Sequence, residues 1–503
     1  MKANFTLAPI FTDNTIFQAG KSVLIFGTCQ KHREIRVRMC GNTYRFKTTD
    51  FSFCFELPAL PYLKTPFDVE IACKNQTVTL HDCLSGEVFL LAGQANMAFP
   101  LRDTYETRVK DNPLIRFFEV PRMPYPNANL EFPDLYSANT GWRICEGMSA
   151  MEFSAIGNHV AQYLCEDLDV PVGIISCCQN DTSIFSWAGM LELCELPGLA
   201  RYLSNYRQEV AKYKSLDEYC EKFNKTLPVT LELYQEFRDL EKSGMPSQQI
   251  FEKMAKKRQE FLLPMGPKHP NRPAGAFETM IKSIVPYPFK TVLFYQGESD
   301  ADHGELYEGA FKAMVKSLRR VFGEPALPFV FVQIAGSAYP KLSDTASAIV
   351  REAQGRCVSF LNNIYMASAV DLGEEHNLHP RDKAPVSRRI ANVVLEKIFH
   401  KGKNSMSPAY FSYSSAEGQI TIFTEFNNLN LVSRSNQFRG FKVSFDGETF
   451  IDFDGVGIVN SQIVIRSAKK IREIRYCFVN YPHCDIYTTN DLPLLPFRIR
   501  LEP

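Results

Sequence analysis

Four short polar runs carry the side chains best suited to acyl-transfer chemistry, and each follows an apolar run of strand length. Gly93-Gln94-Ala95-Asn96-Met97 follows Glu87-Val88-Phe89-Leu90-Leu91-Ala92, and Ser176-Cys177-Cys178-Gln179-Asn180-Asp181-Thr182 follows Val172-Gly173-Ile174-Ile175. Gln296-Gly297-Glu298-Ser299-Asp300 follows Thr291-Val292-Leu293-Phe294-Tyr295. Asp371-Leu372-Gly373 and His376-Asn377-Leu378-His379-Pro380 follow Ile364-Tyr365-Met366-Ala367-Ser368-Ala369-Val370. An imidazole can carry a proton between a nucleophile and a leaving alcohol near neutral pH. Amide and backbone N–H groups can meet the charge that grows on an acyl oxygen. Taken together the four runs describe such a site with one part missing.

The elements that must position these runs are legible in the hydrophobic pattern. Five continuous apolar runs (87–92, 172–175, 291–295, 329–333 and 364–370) alternate with helical periodicity at 156–168, 306–322 and 384–400. Buried strands alternating with helices predict a mainly parallel sheet covered on both faces. Ligands of such a sheet bind beyond the carboxyl ends of its strands, where the four polar runs lie. Residues 1–85 read instead as short alternating strands, such as Ile35-Arg36-Val37-Arg38-Met39 and Phe67-Asp68-Val69-Glu70-Ile71, which predict a small β-sandwich. The same period of two returns over 403–503, so a second β-rich domain is expected there. The α/β domain then spans 86–402. Within it, residues of about 198–262 are rich in Lys, Glu, Gln and Tyr at helical spacing and predict an inserted helical hairpin, either a solvated spacer or a wall of the cleft.

Composition narrows the function classes. Of 503 residues, 56 are basic and 56 acidic, with no basic arm or stripe, which argues against nucleic acid as a partner. No stretch reaches the roughly 18 uncharged apolar residues of a membrane span, and no apolar run of signal-peptide length opens the chain. A cytoplasmic chain is expected, or one whose leader has been trimmed. The 14 cysteines are scattered without a CxxC pair, so reduced thiols are expected rather than a disulfide framework or a zinc site. Cys177 and Cys178 read as buried packing. His376 and His379 with Glu374, Glu375 or Asp371 have no specific metal-ligand spacing. Neither a metal nor a cofactor is expected.

Several blocks in order give the chain a family likeness. Gly93-Gln94-Ala95-Asn96-Met97 resembles the GQSNM block of the sialate O-acetylesterase family, a branch of the SGNH hydrolases. Tyr295-Gln296-Gly297-Glu298-Ser299 is similar to its YQGES block, and His379-Pro380-Arg381-Asp382-Lys383 to its HPRNK-like block. Phe11-Thr12-Asp13-Asn14 and Asn480-Tyr481-Pro482 resemble its opening and closing segments. The resemblance implies an SGNH-type, flavodoxin-like three-layer α/β/α domain flanked by the β-rich regions, acting on an O-acetylated sugar.

It also implies roles. The family serine that attacks the acetyl carbonyl falls at Ala95, and His379 would be its base. Backbone N–H groups of residue 95 and near Asn180, with the Gln296 amide, would form the oxyanion hole, each donor worth about 3 kcal/mol. Gln94, Asn96 and Asn377 would line the substrate site, and Glu298 would orient His379 or Gln296. Arg102 or Arg108 would be candidates for a substrate carboxylate, though each also reads as an ordinary surface arginine.

Three departures stand out. Ala95 has no hydroxyl, and loss of a triad nucleophile costs on the order of a millionfold in turnover, so the chain as written is expected to be inactive. An engineered Ser→Ala exchange is the expected origin, ahead of a natural pseudoenzyme. Asn180-Asp181-Thr182 stands where the family has Gly-Gly-Thr, with Asn180 expected to tolerate the left-handed backbone. No acid precedes His379 by two or three positions, which leaves Glu298, Asp371 or a backbone carbonyl as its orienter. The alternatives in function are a non-catalytic glycan-binding protein, or an esterase acting on acetylated xylan or xyloglucan.

Overall fold

The computed structural model describes residues 5–501 except 107, 109, 127, 132–140, 261, 339–342, 417, 426–429 and 436. The first four residues of the expected N-terminal sandwich and residue 261 of the expected insert therefore lie outside it.

The chain is a mixed α/β protein built on one large sheet. Its central run of strands has the spatial order Arg143–Cys145, Asn112–Glu119, Val172–Cys178, Gln76–Gly93, Thr291–Tyr295, Phe329–Gln333 and Ile364–Ser368. All neighbours pair in parallel except the antiparallel edge strand Arg143–Cys145. Every residue of Val172–Cys178, Thr291–Tyr295 and Phe329–Gln333 is buried, as strands covered on both faces require. The chain order reverses beside Gly93, since Val172–Cys178 lies on one flank of that strand and Thr291–Tyr295 on the other. A switch point of this kind leaves a crevice at the strand ends.

Helices Ala155–Leu168, Gly304–Val321, Ala346–Phe360 and Ala384–Lys397 cover the sheet. The first starts at Ser154, whose Oγ accepts the Gly157 N–H at 3.0 Å and whose hydroxyl donates to the Met97 carbonyl at 2.6 Å. One cap thus ties the helix to the loop beyond Gly93. The strand Asn112–Glu119 and the helix Ala346–Phe360 are additional to the predicted elements. The first carries Pro113 and Arg116 inside its apolar run, which breaks the pattern. Arg116 is accommodated because its guanidinium bonds the Ile115 carbonyl and pairs with Asp82 at 3.2 Å.

The strand Gln76–Gly93 passes without a break through residues 85 and 86. Its first half pairs with Leu63–Cys73 and its second half with the parallel strands. The N-terminal strands are therefore hydrogen-bonded to the same sheet that carries the crevice. A three-stranded sheet (Thr6–Leu7, Val23–Thr28, Ser52–Leu57) packs over them through Val23, Ile25, Ile35 and Val37. The C-terminal strands form two four-stranded sheets and one two-stranded sheet (Leu431–Ser433 with Ile486–Thr488) among the described residues, around their own core of Ile422, Val443, Ile463, Ile465 and Ile474. Between the α/β elements stand the helices Ala200–Val210, Leu216–Lys242 and Ser247–Glu260.

The crevice depends on close backbone approach at Gly93, whose φ is +141°. A Cβ there would lie 2.1 Å from the Tyr295 carbonyl oxygen. Gly93→Ala is expected to lower stability by at least about 2 kcal/mol, measured by chemical denaturation. Gly355→Ala, in open space on the helix Ala346–Phe360, should raise it by about 0.5–1 kcal/mol.

Candidate active site

The loop beyond Gly93 folds into one short helical turn, Ala95–Ala98, with the Met97 and Ala98 N–H groups returning to the Gln94 carbonyl. Gln94 N–H donates to Tyr295 O at 3.1 Å and Gln179 N–H to Gly93 O at 2.9 Å, so three strand ends are stitched together. Ala95 is half-buried at the start of the turn. It lines a cavity of about 200 Å³ with Asn180, Asp181, His269 and His379. Among the described residues, neither the Ala95 nor the Asn180 N–H meets a backbone or side-chain acceptor. The left-handed residue of the second loop is Asp181 (φ 54°) rather than Asn180.

His379 is held by a partner that the sequence analysis missed. Its Nδ1 lies 3.0 Å and 3.2 Å from the two carboxylate oxygens of Glu241, on the helix Leu216–Lys242. An ionised carboxylate only accepts, so Nδ1–H donates and Nε2 is left as the proton acceptor. Asn377 supports the same loop, its Oδ1 accepting the His379 N–H at 2.9 Å and its Nδ2 donating to Glu374 at 3.0 Å. The helix is anchored beside the turn Ala95–Ala98 by Asp103, whose buried carboxylate meets Arg238 at 2.5 Å and Lys242 at 3.1 Å. The insert is thus a wall of the cleft and not a solvated spacer. It contributes Thr230, Leu233, Tyr234, Phe237 and Met254 to the cavity.

Glu298 orients neither His379 nor Gln296. Its carboxylate accepts from the Gln94 amide and, at 2.6 Å, from the Asn96 amide. Asn96 also donates to the Leu378 carbonyl at 3.2 Å and accepts from Lys383 Nζ at 2.7 Å. Gln94 and Asn96 are buried beneath the turn, so they brace the loops instead of facing substrate. Gln296 is likewise no oxyanion donor. It is fully buried, and its Nε2 donates to the Thr182 carbonyl at 2.8 Å and to Asp300 at 2.5 Å. Asp300 in turn accepts from the Ser183 hydroxyl and, at 2.9 Å, from the Ile184 N–H. Burial pushes the Asp300 carboxyl up to about 6. The turn Glu298–His303 therefore holds the first loop with one acid and the second with another.

Asp371 is bound elsewhere, to Arg389 at 2.6 Å and to the Tyr487 hydroxyl. Arg102 pairs with Glu152 at the surface and Arg108 is exposed. The arginine that lines the cavity is Arg238. Cys177 and Cys178 are buried in their strand, and burial raises both thiols, Cys178 to about 12. Among the described residues no group of three or more His, Cys, Asp or Glu is arranged to hold a metal ion.

Residues 272–396 match the family model described as carbohydrate esterase, sialic acid-specific acetylesterase. That stretch includes Glu298 and His379 but neither residue 95 nor Glu241. The chain is 23% identical over 355 residues to the sialate O-acetylesterase of Mus musculus, covering 65% of this chain and 59% of that protein. It is 23% identical over 345 residues to that of Homo sapiens, covering 63% and 54%. The chain resembles the sialate O-acetylesterase family. It spans less than two thirds of the length of these relatives. A solved carbohydrate acetylesterase from Xanthomonas citri shares the fold, with a TM-score of 0.78 over 99% of this chain and 100% of that one at 21% identity.

Lys383 offers a test of the buried network. Burial pushes its ammonium down to about 7, against the pull of Glu298 first and then Glu374, Glu241 and Asp382. A base whose folded value is depressed adds stability above its unfolded value of about 10.4 and loses it as pH falls toward 7. Stability should therefore rise with pH between about 7 and 10 relative to Lys383→Met. Paired denaturation curves that stay parallel across that window would contradict the assignment.

Proposed function

We propose that this is a carbohydrate O-acetylesterase scaffold whose serine-bearing form removes acetyl groups from hydroxyls of sialic acid or a related sugar. The observation that carries the reading is the convergence of Ala95, His379 and the His379–Glu241 pair on one cavity. A hydroxyl on the residue 95 methyl would attack the acetyl carbonyl carbon while His379 Nε2 takes its proton. The tetrahedral oxyanion would be met by the Ala95 and Asn180 N–H groups. Collapse would expel the sugar alkoxide, protonated by the imidazolium that Glu241 stabilises. Water would then release acetate by the same steps in reverse roles. With Ala95 no acyl-enzyme forms, and the chain as written binds without turnover.

The methyl at position 95 also favours a second reading, a glycan-binding protein that retains the cleft without the chemistry. Ala95→Ser separates the two. Hydrolysis of p-nitrophenyl acetate should appear, above the unmodified chain by a factor on the order of 10³ or more. In that background Glu241→Gln should lower kcat on the order of 10²–10⁴-fold with little change in KM, because the imidazole loses its orientation and charge partner. A folded Ala95→Ser protein without esterase activity on p-nitrophenyl acetate, acetylated sialic acid or acetylated xylan would leave only the binding reading. Which of the two sugars is turned over faster decides between a sialic acid and a plant-polysaccharide substrate.

A further inference from the structure

His269 lines the catalytic cavity but belongs to none of the motif blocks, and the esterase chemistry does not use it. Its backbone N–H bonds the Gly266 carbonyl, and its Nδ1 accepts the Asn271 N–H at 3.0 Å. A ring nitrogen that accepts carries no proton, so the neutral imidazole has its proton on Nε2. Among the described residues no acceptor meets Nε2. The loop is fixed against the second strand-end loop, because Asn271 Oδ1 accepts the Ser183 N–H at 2.8 Å. Burial first, and the Arg272 guanidinium second, push the imidazole down to about 4, so it stays a neutral donor across the working range of an esterase.

The same cavity is lined in part by Leu233, Met254 and Leu263. A donor beside such apolar side chains discriminates between ligands, because a ligand without an acceptor there leaves the N–H unpaired away from water. We propose that His269 Nε2–H is a substrate-reading hydrogen-bond donor that takes a lone pair from an oxygen of the sugar, on the alcohol side of the ester. This rests on the esterase reading for which molecule is bound, while the presence of the donor rests on the Asn271 contact alone.

The test has two arms. In calorimetric titration of the chain as it stands with O-acetylated N-acetylneuraminic acid and with acetylated xylo-oligosaccharide, His269→Leu should weaken the tighter ligand about tenfold or more. His269→Gln, which can place an amide N–H at a similar reach, should restore most of that loss. In the Ala95→Ser background, His269→Leu should raise KM for the same sugar ester and leave turnover of p-nitrophenyl acetate, which has no sugar oxygens, within about twofold. Unchanged sugar affinity in a folded His269→Leu protein overturns the proposal. Equal losses of kcat on both esters also overturn it, since they would make His269 an oxyanion donor. If Ala95→Ser shows no hydrolysis while His269→Leu still weakens sugar binding, the esterase reading fails and the donor assignment stands. Should His269→Leu fail to fold, His269→Phe takes its place in both arms.

Discussion

The site is organised by one half-buried carboxylate. Glu298 receives the Gln94 and Asn96 amides from the turn beyond Gly93, while the same Asn96 reaches the carbonyl before His379 and the amine of Lys383. These groups come from three strand ends separated by roughly two hundred and eighty residues at the extremes. A carboxylate withdrawn from water must find donors in the protein, and a hydrogen bond to a charged group is worth about 1.5–3 kcal/mol. The loops cannot drift apart singly without stranding a charge. That penalty, more than any contact at the cavity surface, fixes where residue 95 and the imidazole stand.

A second constraint brings in the helical insert. Asp103 lies just beyond the nucleophile turn with its carboxylate buried, and both of its cationic partners, Arg238 and Lys242, come from the last turns of the helix Leu216–Lys242. Glu241 lies between them in sequence, so the ion pairs that dock the helix also deliver an acid to His379. Arg381, two residues after that histidine, donates to the Asp103 backbone carbonyl at 2.9 Å. Positioning of His379 and closure of the cleft are thus one structural event. The same docking explains why the cavity is walled by Leu233, Phe237 and Met254, residues that an isolated helical hairpin would have to pack elsewhere.

The sheet was legible because its strands are long apolar runs. Thr291–Tyr295 and Phe329–Gln333 have in the structure the bounds their hydrophobicity suggests. The strand Asn112–Glu119 was not, because burial of Arg116 depends on Asp82, a partner far away in the chain. The site was half legible. Motif blocks place Gln296 and Glu298 on the right loop but do not fix where their side chains point. That direction is set by Thr182, Asp300 and the 94–96 turn, each on another loop. Glu241 was hidden for a different reason. Arg238-Asp239-Leu240-Glu241-Lys242 has the look of any solvated helix face, and its partner is 138 residues on. His269 had no signal at all, since its role follows from one backbone N–H that fixes its tautomer.

Residue 95 itself is nearly free of these constraints. Its side chain faces the cavity, and the turn that holds it is closed by backbone bonds to Gln94 and by the buried amides on either side. Residue 95 is half-buried on a cavity that His379 also lines. The fold therefore places few demands on the side chain at position 95, while His379, Glu241 and Glu298 are bound into hydrogen-bond networks. A change at position 95 is separable from stability, and a change at its neighbours is not.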